Sequence, residues 1–525
     1  MRTDGERPVD QGNQARGYVT DTAYTASFFR ELSPVWLNYV AALNGARMRE
    51  LEAPFNYLEL GCGYGQSALV HAAAFPHACF HACDLNASHI ASARRAATAF
   101  QIDNIHFHEA SFETLLNHTL PSFDFIVLHG VYSWVDAQAR QAVRKILHAK
   151  LERNGLAYAS YNCLPGWASE VPLRKLLVEF AATESGDSVH RSERALQTLL
   201  HLSEGKLQYL TANPLASAAL AAYQRAPLNY LVHEFMNQSW EPFYGVDVAD
   251  ELSEIGLAYV GSATLAENHP MLLMDDRTAA SIAALPTERQ RRLATDCATN
   301  QRFRRDVFIR GELPRSSAAT SQQLATMLIG CLRTSDLARL SIRVPRGELT
   351  LQQDFMDELR ELLIDGPLPM KQAISSLHRE GRDVVGITRN LLFLIAGGGL
   401  LPCATSAPPA PSMPPRRYAN DTVRLMMADI VERGGEGFIP SRVLGNGVKV
   451  QALEALAVEA VLQDVRDAAA LTTWLDRESA RRGMVLTVRV GESSSDIERS
   501  AYLREFSQRA FDDLLPALLQ LGILV

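Results

Sequence analysis

Short apolar runs alternate with stretches of helical spacing between residues 55 and 161, and the connections between them are short. An uninterrupted apolar run is typical of a strand that is buried on both faces of a sheet. Strands that alternate with helices in this way predict an α/β, Rossmann-like doubly wound sheet. The predicted elements are the strands Phe55–Leu60, Cys79–Asp84, Ile105–His108 and Phe123–Leu128, a fifth strand after Asn154-Gly155, and the helices Gln66–Ala74, Asn86–Phe100 and Asp136–Leu151.

The connection after the first predicted strand is rich in glycine and reads Gly61-Cys62-Gly63-Tyr64-Gly65. Ligands bind at the carboxyl ends of the strands in such sheets, and glycine lets the backbone approach a ligand that a Cβ atom would exclude. The second strand ends in Asp84, whose carboxylate can accept hydrogen bonds from both hydroxyls of a ribose. This unit is therefore predicted to bind a nucleoside.

Two patterns fit the glycine-rich turn. Gly63, Gly65 and Ala68 satisfy the dinucleotide pattern G-x-G-x-x-G/A, which also expects an acid about 20 residues downstream. Glu59 followed by Gly61, Gly63 and Gly65 instead resembles the E/D-x-G-x-G-x-G turn of class I S-adenosylmethionine-dependent methyltransferases. The first pattern predicts a nicotinamide-dependent oxidoreductase and the second a methyltransferase, which the later strands favour.

Strings after the fourth and fifth strands resemble a bacterial subfamily of class I methyltransferases that carries a methyltransferase regulatory domain. They are His-Gly-Val-Tyr-Ser-Trp at 129–134 and Ser-Tyr-Asn-x-x-Pro-Gly-Trp at 160–167, and further matches follow at 233–237, 240–244, 247–252, 256–261 and 302–306. The resemblance covers roughly residues 18 to 310 and implies S-adenosylmethionine as the cofactor. Some relatives in this subfamily are protein-lysine methyltransferases that act on bacterial outer-membrane surface proteins, so it also implies a protein substrate that is methylated before export.

The resemblance implies a role for each candidate residue. Glu59 and the glycines hold the methionine part of the cofactor, Asp84 the ribose, and the residues after the third strand the adenine, with the polar role left open between Glu109 and Ser111. The candidate catalytic residues, which border the methyl group, are His129, Tyr132 and Trp134. The candidate cofactor-binding residues are Tyr18, Glu59, Gly61, Cys62, Gly63, Gly65, Asp84, Leu85, Glu109, Ser111, Phe112 and His129.

Structural alternatives exist for several of these residues. His129 can hydrogen-bond within a buried loop, and Tyr132 and Trp134 can pack the loop without touching a ligand. Tyr18 can close over a sulfonium through a cation–π contact or lie on a surface helix. No metal site is predicted, because the string that starts at His233 lacks the second histidine of H-E-x-x-H. Cys79 and Cys83 are interpreted as small core residues.

Methyl transfer from a sulfonium is an in-line displacement, which depends on alignment of the reacting atoms and exclusion of water. A lysine acceptor has an ordinary pKa of ~10.4 and must lose its proton first. Burial and a nearby positive charge both lower that pKa, so the reaction requires no nucleophilic triad. The chain lacks an Asn/Asp-Pro-Pro-Tyr/Phe/Trp motif after the fourth strand, which counts against a nucleobase amino group as acceptor.

Composition limits the function classes. The net charge of −8 argues against a general nucleic-acid partner. Seven cysteines without a C-x-x-C pair indicate reduced thiols and a cytoplasmic location. The polar N-terminus and the absence of an apolar run of ~20 residues predict neither export nor membrane insertion. The oligomeric state is left open.

The length of 525 residues exceeds the ~250–300 at which a single core stops growing, so several domains are expected. Largely helical accessory domains are predicted to follow the sheet, and Pro367–Leu401 has a winged-helix-like pattern. The predicted domains are an N-terminal helical lid at 1–50, the methyltransferase domain at 51–170, the regulatory domain at 171–312, a middle accessory domain at 313–401, a proline-rich linker at 402–417 and a C-terminal helical domain at 418–525.

Rival hypotheses remain at this point. A small molecule or an RNA can replace the protein as methyl acceptor on the same fold. A regulator that binds DNA through the winged-helix-like segment is the alternative from another class. That segment has only a few basic residues, and Glu380 and Asp383 offset part of their charge. It therefore offers little electrostatic attraction for the phosphates of DNA. The cations are Lys371, Arg379, Arg382 and Arg389.

Overall fold

The computed structural model describes residues 27–237, 239–313, 317–338, 341–406, 415–484 and 496–525. Its central sheet contains β1 Asn56–Leu60, β2 Cys79–Asp84, β3 Ile105–Glu109, β4 Phe123–Leu128, β5 Leu151–Asn162, β6 Leu257–Ser262 and β7 Phe303–Arg310. These seven strands lie in the order β3-β2-β1-β4-β5-β7-β6. The first five are parallel, and β7 is antiparallel to both of its neighbours. The doubly wound sheet predicted from the sequence is confirmed.

Helices cover both faces of this sheet. Alternate residues of β1 point to opposite sides, so that Tyr57 belongs to one apolar cluster and Leu58 to the other. Asn86 and Asp136 cap two of the helices by accepting from the backbone N–H of Ser88 and Ala139, as expected of such residues at an N-cap. The helices of this layer are α1 Pro34–Leu43, α2 Gln66–Ala74, α3 Ala87–Ala99, α4 Phe112–Leu115 and α5 Ala137–Lys150.

The region assigned to the regulatory domain contributes to the same sheet. Tyr158 of β5 pairs with Val307 of β7, and β7 in turn pairs with β6. The boundary predicted at residue 170 therefore separates segments that backbone hydrogen bonds join. Between them lie α6 Val171–Ala182, α7 Ser188–Glu204, α8 Gln208–Ala212, α9 Pro214–Tyr223, α10 Leu228–Phe235, α11 Gly245–Ser253, α12 Pro270–Leu273, α13 Asp276–Ala283 and α14 Glu288–Ala298.

The first helix is a fixed part of the core rather than a lid. Nine of the ten residues of α1 are buried. The indole Nε1 of Trp36 donates to the carbonyl of Ala263, just past β6, over 2.8 Å. Only the segment before it, residues 27–33, extends towards the glycine-rich turn, where the backbone N–H of Phe29 donates to Ser67 Oγ over 2.9 Å. Tyr18 lies outside the described residues.

The middle region combines a small antiparallel sheet with a helix pair. Its central strand, β8 Leu328–Gly330, lies between β11 Leu368–Pro369 and β12 Leu401–Cys403. Two helices, α17 Met370–Leu377 and α18 Val384–Ala396, follow one another as expected for Pro367–Leu401. Two of the cations there, Arg379 and Arg382, pair with Asp354 and Glu358. The elements are α15 Ser317–Thr326, β8 Leu328–Gly330, β9 Ser341–Val344, β10 Gly347–Thr350, α16 Gln353–Leu362, β11 Leu368–Pro369, α17 Met370–Leu377, α18 Val384–Ala396 and β12 Leu401–Cys403.

The C-terminal region is largely helical, as predicted, and adds one hairpin. Its elements are α19 Asp421–Arg433, β13 Glu436–Ser441, β14 Asn446–Gln451, α20 Ala452–Leu462, α21 Ala468–Arg481, α22 Asp496–Arg509 and α23 Leu515–Gln520. The hairpin β13–β14 packs against α2, the helix that follows the glycine-rich turn. Within the described ranges, every helix is too short or too polar to cross a bilayer.

Candidate active site

The glycine-rich turn between β1 and α2 lies at the carboxyl edge of the sheet. Its glycines have φ angles of +73° at Gly61, +55° at Gly63 and +72° at Gly65, a region that other residues rarely adopt. A Cβ atom would lie 2.5 Å from Val131 Cγ2 at Gly61 and 2.8 Å from Phe107 Cε1 at Gly65. At Gly63 it would meet no atom within 4 Å beyond the chain neighbours. The backbone at Gly63 is therefore open to a ligand.

Asp84 is oriented towards this turn. Its Oδ2 accepts from the backbone N–H of Gly63 over 2.8 Å, and its Oδ1 accepts from the N–H of Asn86 over 2.9 Å. The imidazole Nδ1 of His89 lies 3.4 Å from Oδ1, and the Asp84 side chain remains 16% exposed. A carboxylate has about four acceptor sites, so Asp84 retains capacity for the hydroxyls of a ribose.

Glu59 lies buried below the turn without a full set of partners. Its Oε2 is inaccessible to solvent and has no hydrogen-bond partner among the described residues. Burial, and then the negative charge of Asp84, raise the pKa of Glu59 to about 8. An unpaired buried carboxyl is costly, and a cationic ligand group or a bound water would satisfy it. The turn therefore supplies an acceptor for a positive charge.

The two candidates for the adenine amino group, Glu109 and Ser111, differ in their surroundings at the end of β3. Ser111 Oγ caps α4 by accepting from the N–H of Thr114 over 3.2 Å. Glu109 is exposed and lies opposite Asp84 in the register of β2 and β3. Ser111 uses one acceptor position in the helix cap, whereas the exposed Glu109 lies beside Asp84 at the strand ends, so Glu109 is the candidate that we favour for the adenine amino group.

Apolar side chains flank the same crevice. Leu85, directly after Asp84, is 41% exposed, which is unusual for leucine and leaves an apolar face at the strand end. The ring of Phe112 lies with its Cζ 4.0 Å from the position of a Cβ on Gly61. Cys62 is half-buried, its N–H donates to the carbonyl of Cys83 over 2.9 Å, and burial raises the pKa of its thiol well above the ordinary value. Its thiol is therefore protonated and unreactive at neutral pH.

His129 lies at the end of β4 between aromatic rings. Its ring stacks on Phe29 at a centroid distance of 3.6 Å, and its Nδ1 is 2.8 Å from Tyr158 Oη. Burial, and then the charge of Arg305, lower the pKa of His129 to about 3. A general base needs a pKa near the working pH, so a neutral His129 in this position is poorly suited to accept a proton.

Tyr132 and Trp134 pack within the loop after β4 and against its neighbours. Tyr132 is fully buried, and its Oη donates to Glu251 Oε2 on α11 over 2.6 Å. Trp134 is half-buried and packs on the apolar cluster of the helical insertion, which is the run of helices α6 to α10 between β5 and β6. Its carbonyl accepts from Asn237 Nδ2 over 2.7 Å. The Tyr132 ring packs against Tyr161 and Phe243, which is the packing alternative considered for it, and its role beside the methyl group stays a prediction. Trp134 joins the loop to that insertion.

Several side chains near the strand ends were missed by the sequence analysis. Ser160 Oγ accepts from the N–H of Gly130, next to His129, over 2.8 Å. Asn162, at the end of β5, donates from Nδ2 to Glu234 Oε1 over 3.4 Å, and burial raises the pKa of Glu234. Ser160 and Asn162 belong to the string that carries the resemblance, so their position in that string was an available signal. The sequence around Phe29 carried no such signal.

The fold and this crevice define a class, since a mixed sheet of this strand order with a glycine-rich turn and an acid at the end of β2 is the arrangement of Rossmann-like methyltransferases. The family comparisons agree with this class. A family described as "Methyltransferase domain" matches residues 58–155, and one described as "Predicted methyltransferase regulatory domain" matches residues 227–310.

Similar proteins extend the match to the whole chain. The uncharacterized protein sll1526 of Synechocystis sp. is 30% identical over 507 residues, which are 97% of this chain and 99% of that protein. The uncharacterized protein RP789 of Rickettsia prowazekii is 28% identical over 284 residues, 54% of this chain and 50% of that one. Among solved structures, PKMT2 from Rickettsia typhi has the same fold, with a TM-score of 0.68 and 17% identity over 96% of this chain and 100% of PKMT2.

The chain therefore belongs to the class I S-adenosylmethionine-dependent methyltransferases that carry a methyltransferase regulatory domain. Its methyl donor is S-adenosylmethionine. The register that begins at Glu59 is the relevant one, and the nicotinamide-dependent oxidoreductase is excluded as an interpretation of the glycine-rich turn.

Proposed function

We propose that this methyltransferase modifies a side-chain amine of a protein, specifically lysine. The observation that carries this proposal is the half-buried Glu234, which accepts a hydrogen bond from Asn162 at the end of β5. Burial raises the pKa of Glu234, and an acid with a raised pKa suits the acceptance of a proton from an amine. Asn162 is two residues past Ser160, which contacts the loop of His129. Glu234 is thus linked by hydrogen bonds to the strand ends where the methyl group is transferred.

The residues of the crevice fit the cofactor. Bound S-adenosylmethionine supplies a methyl group on a positively charged sulfonium, together with an ammonium, a ribose and an adenine. The unpaired Oε2 of Glu59 suits the cationic end, and the open backbone at Gly63 allows close approach. Asp84 holds the ribose hydroxyls, and Glu109 with Phe112 and Leu85 holds the adenine.

The acceptor side performs two tasks, positioning and proton removal. His129 has a pKa of about 3, so it carries no charge and does not repel a sulfonium. Phe29 covers His129 and excludes water, which strengthens the electrostatic interactions inside the crevice. Glu234 accepts hydrogen bonds from the amine and takes up the proton that the ammonium form must lose. Alignment of this kind supplies ~7–11 kcal/mol of a reaction barrier.

The length of the structural match supports a protein acceptor. PKMT2 shares the fold over 96% of this chain, including the helical insertion, the middle region and the C-terminal hairpin. The subfamily that the strings at 129–134 and 160–167 resemble includes protein-lysine methyltransferases. The free thiols of all seven cysteines support a cytoplasmic location, in which a surface protein would be modified before export.

Radiolabelled S-adenosylmethionine added to a cell lysate with the purified enzyme tests the acceptor. We expect label in protein, and methyl-lysine after hydrolysis and mass spectrometry. The Glu234→Gln variant should label at least tenfold more slowly at unchanged cofactor affinity, with Glu241→Gln as an exposed control. Label in RNA or in a metabolite fraction, with none in protein, would contradict the proposal.

A further inference from the structure

A group of metal-ligating side chains lies on β2 and β3, apart from the cofactor crevice. It consists of Cys79, His81 and His106, which each offer one ligand atom within 4.8 Å of the others. Cys79 Sγ lies 3.5 Å from His81 Nε2. Tetrahedral Zn²⁺ with bonds of about 2.0–2.3 Å separates its ligand atoms by similar distances. The three atoms can therefore converge on one ion with small side-chain movements.

The sheet geometry brings these side chains together. Cys79 and His81 are two residues apart on β2, so they point to the same face of the sheet. His106 lies directly opposite His81 in the parallel register of β2 and β3. The ring of His81 also meets Phe123 edge-on at 5.4 Å, which places the group on the face that α4 and α5 cover further along.

A further histidine holds His81 in orientation. His81 Nδ1 lies 3.0 Å from His108 Nε2, and the two rings are stacked at 5.3 Å. This contact uses the nitrogen of His81 that faces away from Cys79 and leaves Nε2 for a ligand. A metal-ligating histidine is ordinarily fixed in this way through its other ring nitrogen. His108 therefore serves as the orienting partner rather than as a ligand.

The group is accessible and stands at the sheet edge. β3 is the outermost strand, His106 is exposed and Cys79 is half-buried. The buried Cys83, four residues past Cys79, conforms to the interpretation as a core residue, whereas Cys79 has a position that an ion can reach. Asp84 is three residues past His81, so the group lies about 10 Å along the strand from the ribose-binding carboxylate.

We propose that Cys79, His81 and His106 form a three-ligand site for a thiophilic transition metal of the Zn²⁺ type, with solvent as the fourth ligand. One thiolate and two imidazoles are ligands that Zn²⁺ prefers over Mg²⁺ or Ca²⁺. The bound ion joins the edge strand β3 to β2, and these strands end in Glu109 and Asp84. Metal binding therefore stabilises the strand pair that carries the nucleoside-binding acids, without a part in methyl transfer.

Titration of the full-length, metal-free protein with Zn²⁺ tests the site. We expect one equivalent to bind and to raise the unfolding temperature, because the ion binds the folded state. Cys79→Ser and His106→Ala should each weaken binding by more than about tenfold, and His108→Ala by about tenfold. Co²⁺ in place of Zn²⁺ should give a sulfur-to-metal charge-transfer band that Cys79→Ser abolishes.

Matched controls make the result decisive. Cys297→Ser and His201→Ala alter exposed residues elsewhere and should leave binding unchanged. Circular dichroism of each metal-free variant verifies the fold, and S-adenosylhomocysteine affinity verifies the cofactor site. Failure of the folded wild type to bind one equivalent, or equal binding by wild type, Cys79→Ser and His106→Ala, would overturn the proposal. Neither outcome bears on the methyltransferase assignment.

Discussion

Asp84 joins the glycine-rich turn to the end of β2 and faces the crevice at the same time. Its two oxygens accept from the backbone of Gly63 and Asn86. The local sequence was sufficient to predict this residue, because the turn, the strand and the acid lie within one βαβ unit. The same is true of Glu59, which is two residues before the first glycine of the turn.

The Asp84→Ala variant should lose most of its cofactor affinity. Both the hydrogen bonds to a ribose and the bond that orients Gly63 disappear, and hydrogen bonds to a charged group contribute about 1.5–3 kcal/mol each. We expect at least a 100-fold weaker affinity for S-adenosylhomocysteine in calorimetric titration. Asp103→Ala, an exposed acid at the far end of β3, is the control. An affinity within twofold of the wild type would remove Asp84 from the site.

The pKa of Glu59 gives a pH dependence of stability with a definite sign. The pKa is raised from the model-compound value of 4.5 to about 8 in the folded protein. Between these two values the unfolded chain has released the proton and the folded chain retains it. Folding stability due to Glu59 is therefore complete below pH 4.5 and is lost as the pH rises through 8.

Glu59→Gln should remove this dependence. Its unfolding temperature should rise relative to that of the wild type between pH 5 and pH 8, while the exposed Glu52→Gln follows the wild type. A saturating cationic ligand that pairs with Glu59 should release about one proton at neutral pH, measurable by calorimetry in buffers of different ionisation enthalpy. Parallel stability curves for wild type and Glu59→Gln would refute the assigned pKa.

Other residues of the site depended on distant parts of the chain. The hydroxyl of Tyr132 reaches Glu251, which is 119 residues away in sequence, so the direction of this ring could not be read from its own loop. Phe29 stacks on His129 from a segment 100 residues earlier, and nothing in the local pattern of that segment indicates the contact. The cap that Ser111 forms on α4, which favours Glu109 for the polar role at the end of β3, could not be read from the sequence.

At the scale of elements, the C-terminal hairpin supports the wall of the crevice. Phe438 of β13 stacks on Phe28 at 4.4 Å, next to the Phe29 that covers His129. In the adjoining loop, Ser33 Oγ donates to the carbonyl of Gly445 over 2.6 Å. The position of Gly447 allows Phe28 and α2 to pack directly on the strand backbone. The hairpin therefore fixes residues 28–33 over the turn.

Gly447→Val should disturb this support. A Cβ there would lie 2.6 Å from Phe28 Cζ and 2.9 Å from Val70 Cγ1, and overpacking of this kind costs about 1–3 kcal/mol. We expect a lower unfolding temperature and a several-fold weaker cofactor affinity. Lys449→Val, at an exposed position of the same strand, should change neither. Unchanged cofactor affinity in a destabilised Gly447→Val protein would show that the hairpin does not act on the crevice.

The spacing of apolar residues was sufficient to predict the strands and helices of the first half of the chain. It did not predict the two strands, β6 and β7, that complete the sheet. Gln66–Ala74, Cys79–Asp84 and Phe123–Leu128 were predicted with the bounds that the structure has. β6 and β7 follow the helical insertion in sequence and complete the sheet. β7 pairs with β5, which lies about 150 residues earlier, and pairing at this separation leaves no pattern in the local sequence. For the same reason, the boundary predicted at residue 170 separated β6 and β7 from the rest of their sheet.

At the scale of the whole molecule, the accessory regions share one apolar core with the catalytic sheet. The cluster on the α1–α3 face extends without interruption from Leu32 through the middle region to Leu524. The helical insertion has its own apolar cluster around Trp167 and Leu199, separate from the cores on the two faces of the sheet.

Above all, we infer that the crevice beside Gly63 and Asp84 binds S-adenosylmethionine. Thermal unfolding of the full-length protein with S-adenosylhomocysteine, and separately with NAD, tests this claim most directly. A ligand at 100 times its dissociation constant stabilises the folded state by about 2.7 kcal/mol. We predict that S-adenosylhomocysteine raises the unfolding temperature, that NAD leaves it unchanged, and that Asp84→Ala abolishes the increase. Stabilisation by NAD alone, or by neither ligand, would contradict the account.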